Sequence, residues 1–342
     1  QDELRKAACC NLAESFETNP SIDATFTDAV TGTKQIKMMG LSGKYVQMLS
    51  GNIPVIRGLA TFYGLKQIPG SFIHQIAVSK GAGSVLNGYE SMVGQLNLNL
   101  KQPENAEKFH LNVYLNQAGR TEYNTFFKKE LGKKWSTTLL AHFEDQSKKN
   151  DRNDDGFFDT PLHNDYIIFN QWNYRSKKIH MELGLNGALS NIESGTIDQF
   201  SYPVKIETQQ ANAFAKIGYL FPNDDFKSLA IQLSATYNNQ KTNVDITNYS
   251  GNQYSGYANL IYQQELGEND ENYFKVGASC QLDSVNENVQ SSRVTPPINR
   301  FLEIVPGVFS EFTHNNDKWG LIAGIRGDYS TFYNNYFITP RL

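Results

Sequence analysis

After residue 103 of this 342-residue chain, segment after segment carries apolar side chains at every second position. A period of two is the period of a pleated strand, whose successive side chains point to opposite faces. Phe109, Leu111, Val113 and Leu115 alternate with His110, Asn112, Tyr114 and Asn116, and Ile179, Met181, Leu183 and Leu185 interleave with His180, Glu182, Gly184 and Asn186. Leu229, Ile231, Leu233 and Ala235 repeat the pattern, as do Phe274, Val276, Ala278, Cys280 and Leu282 around Lys275, Gly277, Ser279 and Gln281. Lys275 and Glu182 are therefore expected on a wet face, because an unpaired charge in a dry core is expensive.

Mean hydropathy is −0.48, and no run approaches the roughly 18 apolar residues of a membrane helix. Strands that alternate apolar and polar residues hide their apolar content from such averages, so a membrane barrel remains open. The aromatic share of 12% fits interfacial girdles of such a wall. The connections alternate in character. Gly132 to Lys134, Ser176 to Lys178, Phe221 to Asp225, Gly267 to Asn272 and His314 to Lys318 are short and charged. Residues 146–164, 190–207, 238–252 and 284–298 read as longer loops, and short turns opposite long loops are what such barrels show. About eleven or twelve strands of roughly ten residues each are expected. A net charge of −4 argues against a nucleic-acid partner. Cys9, Cys10 and Cys280 provide no framework of spaced disulfide pairs.

The first hundred residues are different. An apolar strand, a glycine-punctuated turn and a second alternating strand follow one another over residues 72–103. Ile73, Ile76, Val78, Lys80, Gly81, Ser84, Leu86 and Gly88 fall in register with a family pattern I-E-x-I-E-V-x-(R/K)-G-P-x-S-x-L-Y-G, and Gly94, Leu96, Asn97, Lys101 and Pro103 with the I-N-I-I-T-K-x-P that follows it. Upstream, Tyr45 to Val55 resembles the V-L-V-L-I-D-G-V-P-V strand and turn of the same family. Residues 14–103 thus resemble the plug of a TonB-dependent outer-membrane receptor. The chain departs from the pattern at Ala82 (proline in the family), Asn87 (tyrosine) and Met39 (often arginine), which bears on the ligand class rather than on the fold.

The resemblance implies an α/β plug, residues 1–103, inside a transmembrane antiparallel β-barrel of which residues 104–342 form the N-terminal half. An open sheet edge in lipid leaves backbone groups unsatisfied, so a partial chain is expected. No TonB-box-like peptide precedes Gln1, and energy coupling is assigned to no residue. The implied function is active import across the bacterial outer membrane of a scarce ligand, foremost a metal chelate such as a siderophore–iron complex or haem. The implied partners are a TonB-type energy-transducing protein, outer-membrane lipid and a small extracellular ligand. A non-transporting surface barrel, and a glycan or peptide importer with a surface lipoprotein lid, are the alternatives.

By the same resemblance the ligand contacts fall on plug loops after Gly40 and Pro54, which selects Met39, Ser42, Lys44, Arg57, Tyr63, Lys66 and Gln67. Arg57 and Lys66 suit an anionic chelate through charge-assisted hydrogen bonds. Asp151-Arg152-Asn153-Asp154-Asp155-Gly156-Phe157-Phe158-Asp159 opens like a calcium loop, with oxygen donors at Asp151, Asn153, Asp155 and Asp159 and glycine sixth, although Leu162 stands where the closing glutamate belongs. Calcium in the 146–164 loop is the one cofactor expectation; none is required. Met38, Met39, Met48 and Met92 with Cys9 and Cys10 offer soft donors for copper(I), against the plainer reading of methionine as core filler. The six histidines show no zinc-ligand spacing, and no G-x-S-x-G, H-E-x-x-H or Walker pattern occurs, so no catalysis is expected.

Overall fold

A computed structural model describes residues 11–16, 22–28, 30–104, 106–198, 200–222, 227–267, 272–291, 299–316 and 318–342. Two small sheets precede a large one. Strands β1 (Ile22–Phe26), β2 (Lys34–Met38) and β3 (Leu41–Ser42) form an antiparallel hairpin with a short third strand. Strands β4 (Val46–Ser50), β5 (Ile53–Pro54), β6 (Ile73–Lys80) and β7 (Gly94–Leu100) form a mixed sheet in the order β5-β4-β7-β6, with β4 parallel to β7. One helical turn, Ala60–Tyr63, lies between β5 and β6. Leu12, Phe16, Ile22, Met38, Met48, Leu65, Leu96 and Leu98 close over one another as a core that belongs to this unit alone.

The wall is a single antiparallel sheet of twelve strands, each paired with its neighbour in sequence. They are β8 (Phe109–Leu115), β9 (Arg120–Leu131), β10 (Trp135–Gln146), β11 (Leu162–Arg175), β12 (Ile179–Gly195), β13 (Pro203–Leu220), β14 (Ser228–Val244), β15 (Thr247–Glu265), β16 (Asn272–Gln290), β17 (Asn299–Asn315), β18 (Gly320–Ser330) and β19 (Asn335–Arg341). The sheet does not close, since β8 and β19 are its two edges. Alternation sets the faces as expected. Leu185, Leu233, Leu260, Val276 and Val308 stand exposed on the outside. On the inside, Glu182 pairs with Lys216 at 3.1 Å and Lys275 with Glu311 at 3.7 Å.

Strand length corrects the sequence reading. The wall strands reach 19 residues in β15, which at about 3.3 Å per residue is far longer than a tilted strand needs to cross a hydrocarbon core of roughly 30 Å. Residues 238–252 are not a loop but the continuation of β14 and β15, joined at Asp245 and Ile246. Most of 190–207 is likewise strand, and 284–290 belongs to β16, while 292–298 lie outside the described residues. Asn238-Asn239-Gln240-Lys241-Thr242-Asn243 is polar on both faces, so it carries no alternation, yet its backbone keeps the cross-strand ladder. Residues 147–161 are a true long connection.

The wall's inner face wraps the N-terminal unit. Phe72 enters a nest of Phe126, Leu140, Ile167, Phe169 and Ala188 from the wall. Gly184 sits opposite Phe214 across β12 and β13, where a Cβ would overlap the Phe214 ring; its absence lets that ring stack against Phe169 at 6.2 Å. No helix among the described residues is long and apolar enough to cross a membrane, which says nothing of a strand-built wall.

Candidate functional site

The residues proposed from sequence divide into two groups. Ser42, Lys44 and Arg57 line one cavity of about 430 Å³ on the plug, together with Tyr45, Tyr89 and Glu90. The chain reaches this cavity through tight turns: Met39 and Gly40 both take positive φ, 52° and 79°, between β2 and β3. Met39 itself is 66% exposed and does not line the cavity. Lys44 is exposed, with its ammonium 4.9 Å from the centre of the Tyr45 ring. Arg57 forms a fork on Glu90, with Nε to Oε2 at 2.9 Å and Nη2 to Oε1 at 2.7 Å, while Nη2 also meets Asp283 Oδ2 of β16 at 2.9 Å. Burial alone would pull the guanidinium pKa down; the charges of Glu90 and Asp283 outweigh it and push it up.

Tyr63, Lys66 and Gln67 turn to the wall instead. Tyr63 packs with Val30 against Ile192, Val204 and Ile206, and burial, aided by the charge of Asp28, pushes its phenol up to about 12. Lys66 Nζ pairs with Asp165 Oδ2 on β11 at 2.9 Å, and Gln67 donates from Nε2 to Thr208 Oγ1 on β13 at 3.1 Å. They are parts of a polar seam that continues around the plug. Ser71 donates to Asn124 at 2.7 Å, Ser84 to Glu311 at 2.6 Å, and Gln253 accepts from the Leu59 backbone N–H at 2.9 Å. Arg326 donates to the Val85 carbonyl at 3.1 Å while forked on Asp328.

Sequence reasoning missed the wall side of this seam. Asp283 and Asp165 sit at inner-face positions that alternation identifies as wet, but nothing local marks them as partners of Arg57 and Lys66. Glu90 lies in the glycine-rich turn region and was passed over for the same reason.

The 151–159 segment is a compact exposed turn. Asp151 accepts from the backbone N–H groups of Asp155 (3.2 Å) and Gly156 (3.0 Å), Asp159 from that of Arg152 (2.9 Å), and Asn153 donates to Asp155 Oδ2 at 2.9 Å. The four proposed donors therefore lie on one loop, with part of their oxygen capacity given to backbone amides. Of the soft donors, Met38 and Met48 are plug core, Met92 is exposed with Met39, and Cys9 and Cys10 lie outside the described residues.

Residues 1–95 match the family model of the TonB-dependent receptor plug domain. No curated protein matches the chain. Among solved structures the chain is similar to the alcaligin outer-membrane receptor FauA from Bordetella pertussis, with a TM-score of 0.75 at 11% identity over 97% of this chain and 55% of that one. It is similar to FpvA of P. aeruginosa, solved with a heterologous pyoverdine and iron, with a TM-score of 0.76 at 14% identity over 97% and 50%. The ferric citrate transporter FecA gives a TM-score of 0.72 at 13% identity over 98% and 57%. The chain spans about half the length of the structures it matches.

Proposed function

We propose, on the premise that this chain belongs to the TonB-dependent receptors of the bacterial outer membrane through its plug and a barrel wall of the same fold, that it serves energy-coupled uptake of a small extracellular ligand. The cargo we propose is an anionic metal chelate, of the siderophore–iron or haem kind. The observation that carries this reading is the seam. The plug keeps its own apolar core, yet much of its hold on the wall runs through ion pairs and hydrogen bonds such as Arg57–Asp283, Lys66–Asp165 and Gln67–Thr208. Such contacts are directional, and water entering the seam can replace them, so the plug can shift while staying folded. Ligand binding drives a shift only in proportion to its different affinity for the two plug positions.

Lys44 supplies the cation and Ser42 a hydroxyl that an anionic chelate would need, Arg57 being already held by Glu90 and Asp283, and Tyr45 and Tyr89 supply flat apolar surface. A periplasmic TonB-type protein would supply the work that moves the plug, and outer-membrane lipid would cover the exposed leucine and valine positions of the wall. The test is uptake of radiolabelled ferric chelates and haem by metal-starved cells with and without the full gene. Loss of uptake and of surface binding for one chelate class on deletion, restored by the gene, is the expected result. Unchanged uptake and binding for every class would remove the proposal.

A further inference from the structure

Three carboxylates stand side by side on the inner face of the wall. The strand register places Glu122 opposite Glu144 and Glu144 opposite Asp165, and each is at most 2% exposed. Like charges directly opposite on neighbouring strands repel, and burial sharpens the repulsion, so such a row exists only if cations are built in with it. Arg120 Nε lies 2.8 Å from Glu122 and 2.7 Å from Glu144. Lys66 reaches Asp165 from the plug. His163 Nε2 bonds Glu144 Oε1, while His163 Nδ1 faces the Pro161 carbonyl at 3.4 Å. Both ring nitrogens thus face oxygen atoms. His142 Nε2 stands 3.7 Å from Glu144 Oε2, and Glu14 stands 3.7 Å from Arg120.

Two observations point past a closed salt-bridge network. Ligand atoms of Glu144, His163 and Asp165 all lie within 4.8 Å of one another, a spacing that one ion can bridge. Asp165 is 1% exposed, and its Oδ1 is buried with no hydrogen-bond partner, so the carboxylate is held in place with donor capacity unspent. One imidazole and two carboxylates are a donor set for zinc and its first-row neighbours rather than for calcium or copper(I). The Pro161 carbonyl is the partner that would keep the Nδ1 proton and present Nε2 as the ligand.

We propose that Glu144, His163 and Asp165 form a divalent transition-metal site for which Lys66 is the built-in competitor. With the plug seated, Lys66 brings its positive charge to Asp165; a divalent ion held by Glu144, His163 and Asp165 takes over that role and frees Lys66. Metal occupancy and the Lys66–Asp165 pair exclude one another, so the ion acts on the seam and not in the cargo cavity.

The test is titration of the full receptor chain, purified in detergent, with Zn²⁺ alone, by calorimetry. Expected results are one ion per chain and an affinity raised at least tenfold by Lys66→Met but not by Lys66→Arg. Asp165→Asn and His163→Ala, each tested both alone and with Lys66→Met, lower the affinity by at least a hundredfold. Heat-modifiable migration on gels verifies that each variant is folded, and the Asp165→Asn and His163→Ala single variants decide the matter if Lys66→Met does not fold. The proposal is overturned if Lys66→Met leaves zinc affinity unchanged, or if Asp165→Asn and His163→Ala retain the ion. Chelate uptake is not read in this assay, so its outcome is independent of the transport proposal.

Discussion

Parts of the plug–wall seam are as dry as the plug core and chemically opposite to it. Leu12, Phe16, Met38, Leu96 and Leu98 are at most 1% exposed and wholly apolar; Glu122, Asp165, Gln253 and Asp328 are at most 2% exposed and polar or charged. Apolar packing is non-directional and scales with area, so it holds the plug together through small shifts of its parts. Ion pairs and hydrogen bonds hold only at one geometry. One molecule thus combines a plug of high internal cohesion with an attachment to the wall that depends on geometry.

The comparison breaks first at the core. Leu98→Ala removes a fully buried side chain between the β4–β7 sheet and the rest of the plug, and a loss of about 2–5 kcal/mol is expected. Protease should then cut the plug in intact outer membranes while the wall stays resistant. Resistance equal to that of the unaltered protein would mean that the wall, not the core, keeps the plug folded.

The seam should respond more weakly and differently. Arg57→Ala leaves Glu90 and Asp283 facing each other without their shared cation, at 27% and 8% side-chain exposure, and about 1–3 kcal/mol is expected because water reaches part of the site. Arg57→Lys should recover only part of this, since an ammonium cannot make the fork on Glu90. Cysteines placed at Ser71 on the plug and Asn124 on β9, whose side chains meet at 2.7 Å, and cross-linked with short reagents would report the plug position. Full cross-linking in both variants would show that the seam does not set that position.

These regions were not equally legible in the amino-acid sequence. The wall was, because Leu185, Leu233 and Val276 outside and Glu182 and Lys275 inside follow from alternation alone. The upper parts of β14 and β15 were not, because Asn238 to Asn243 are polar on both faces and lack the contrast on which alternation depends. The family resemblance grouped Met39, Ser42, Lys44, Arg57, Tyr63, Lys66 and Gln67; in the structure Ser42, Lys44 and Arg57 line one cavity, Met39 stands exposed outside it, and Tyr63, Lys66 and Gln67 turn to the wall. The reason is physical. Arg57 and Asp283, or Lys66 and Asp165, lie far apart along the chain, and no local period records which inner-face carboxylate a plug cation will meet.

A smaller effect is expected on the outer side of the wall, in the loop at 151–159. Calcium there would recruit Asp151, Asn153, Asp155 and Asp159 and exchange their hydrogen bonds to backbone amides for metal contacts. Millimolar calcium should slow proteolysis within residues 146–164 several-fold, and Asp151→Asn should abolish the slowing. Equal cleavage with calcium and with chelator would remove calcium from this loop.

The smallest effect is expected where the β1–β2 turn of the plug touches β12 of the wall. Asp28 accepts from the backbone N–H groups of Val30 (2.9 Å) and Thr31 (2.6 Å) and from the hydroxyls of Thr31 (2.6 Å) and Thr27 (3.0 Å), closing the β1–β2 turn whose Val30 carbonyl accepts from Ser194 Oγ at 2.6 Å. Burial raises the Asp28 pKa, but the bonds from Thr31, Thr27 and Val30 outweigh it and hold the carboxyl below its ordinary value. A depressed carboxyl stabilises the fold above its unfolded pKa, near 4, and that contribution disappears as pH falls through the folded value. Hydrogen exchange at Val30 and Thr31, corrected for intrinsic rates, should therefore show protection at pH 6 that declines below pH 4. Asp28→Asn should flatten the profile without reaching the plug core, and an unchanged decline in that variant would assign the acid sensitivity to another group.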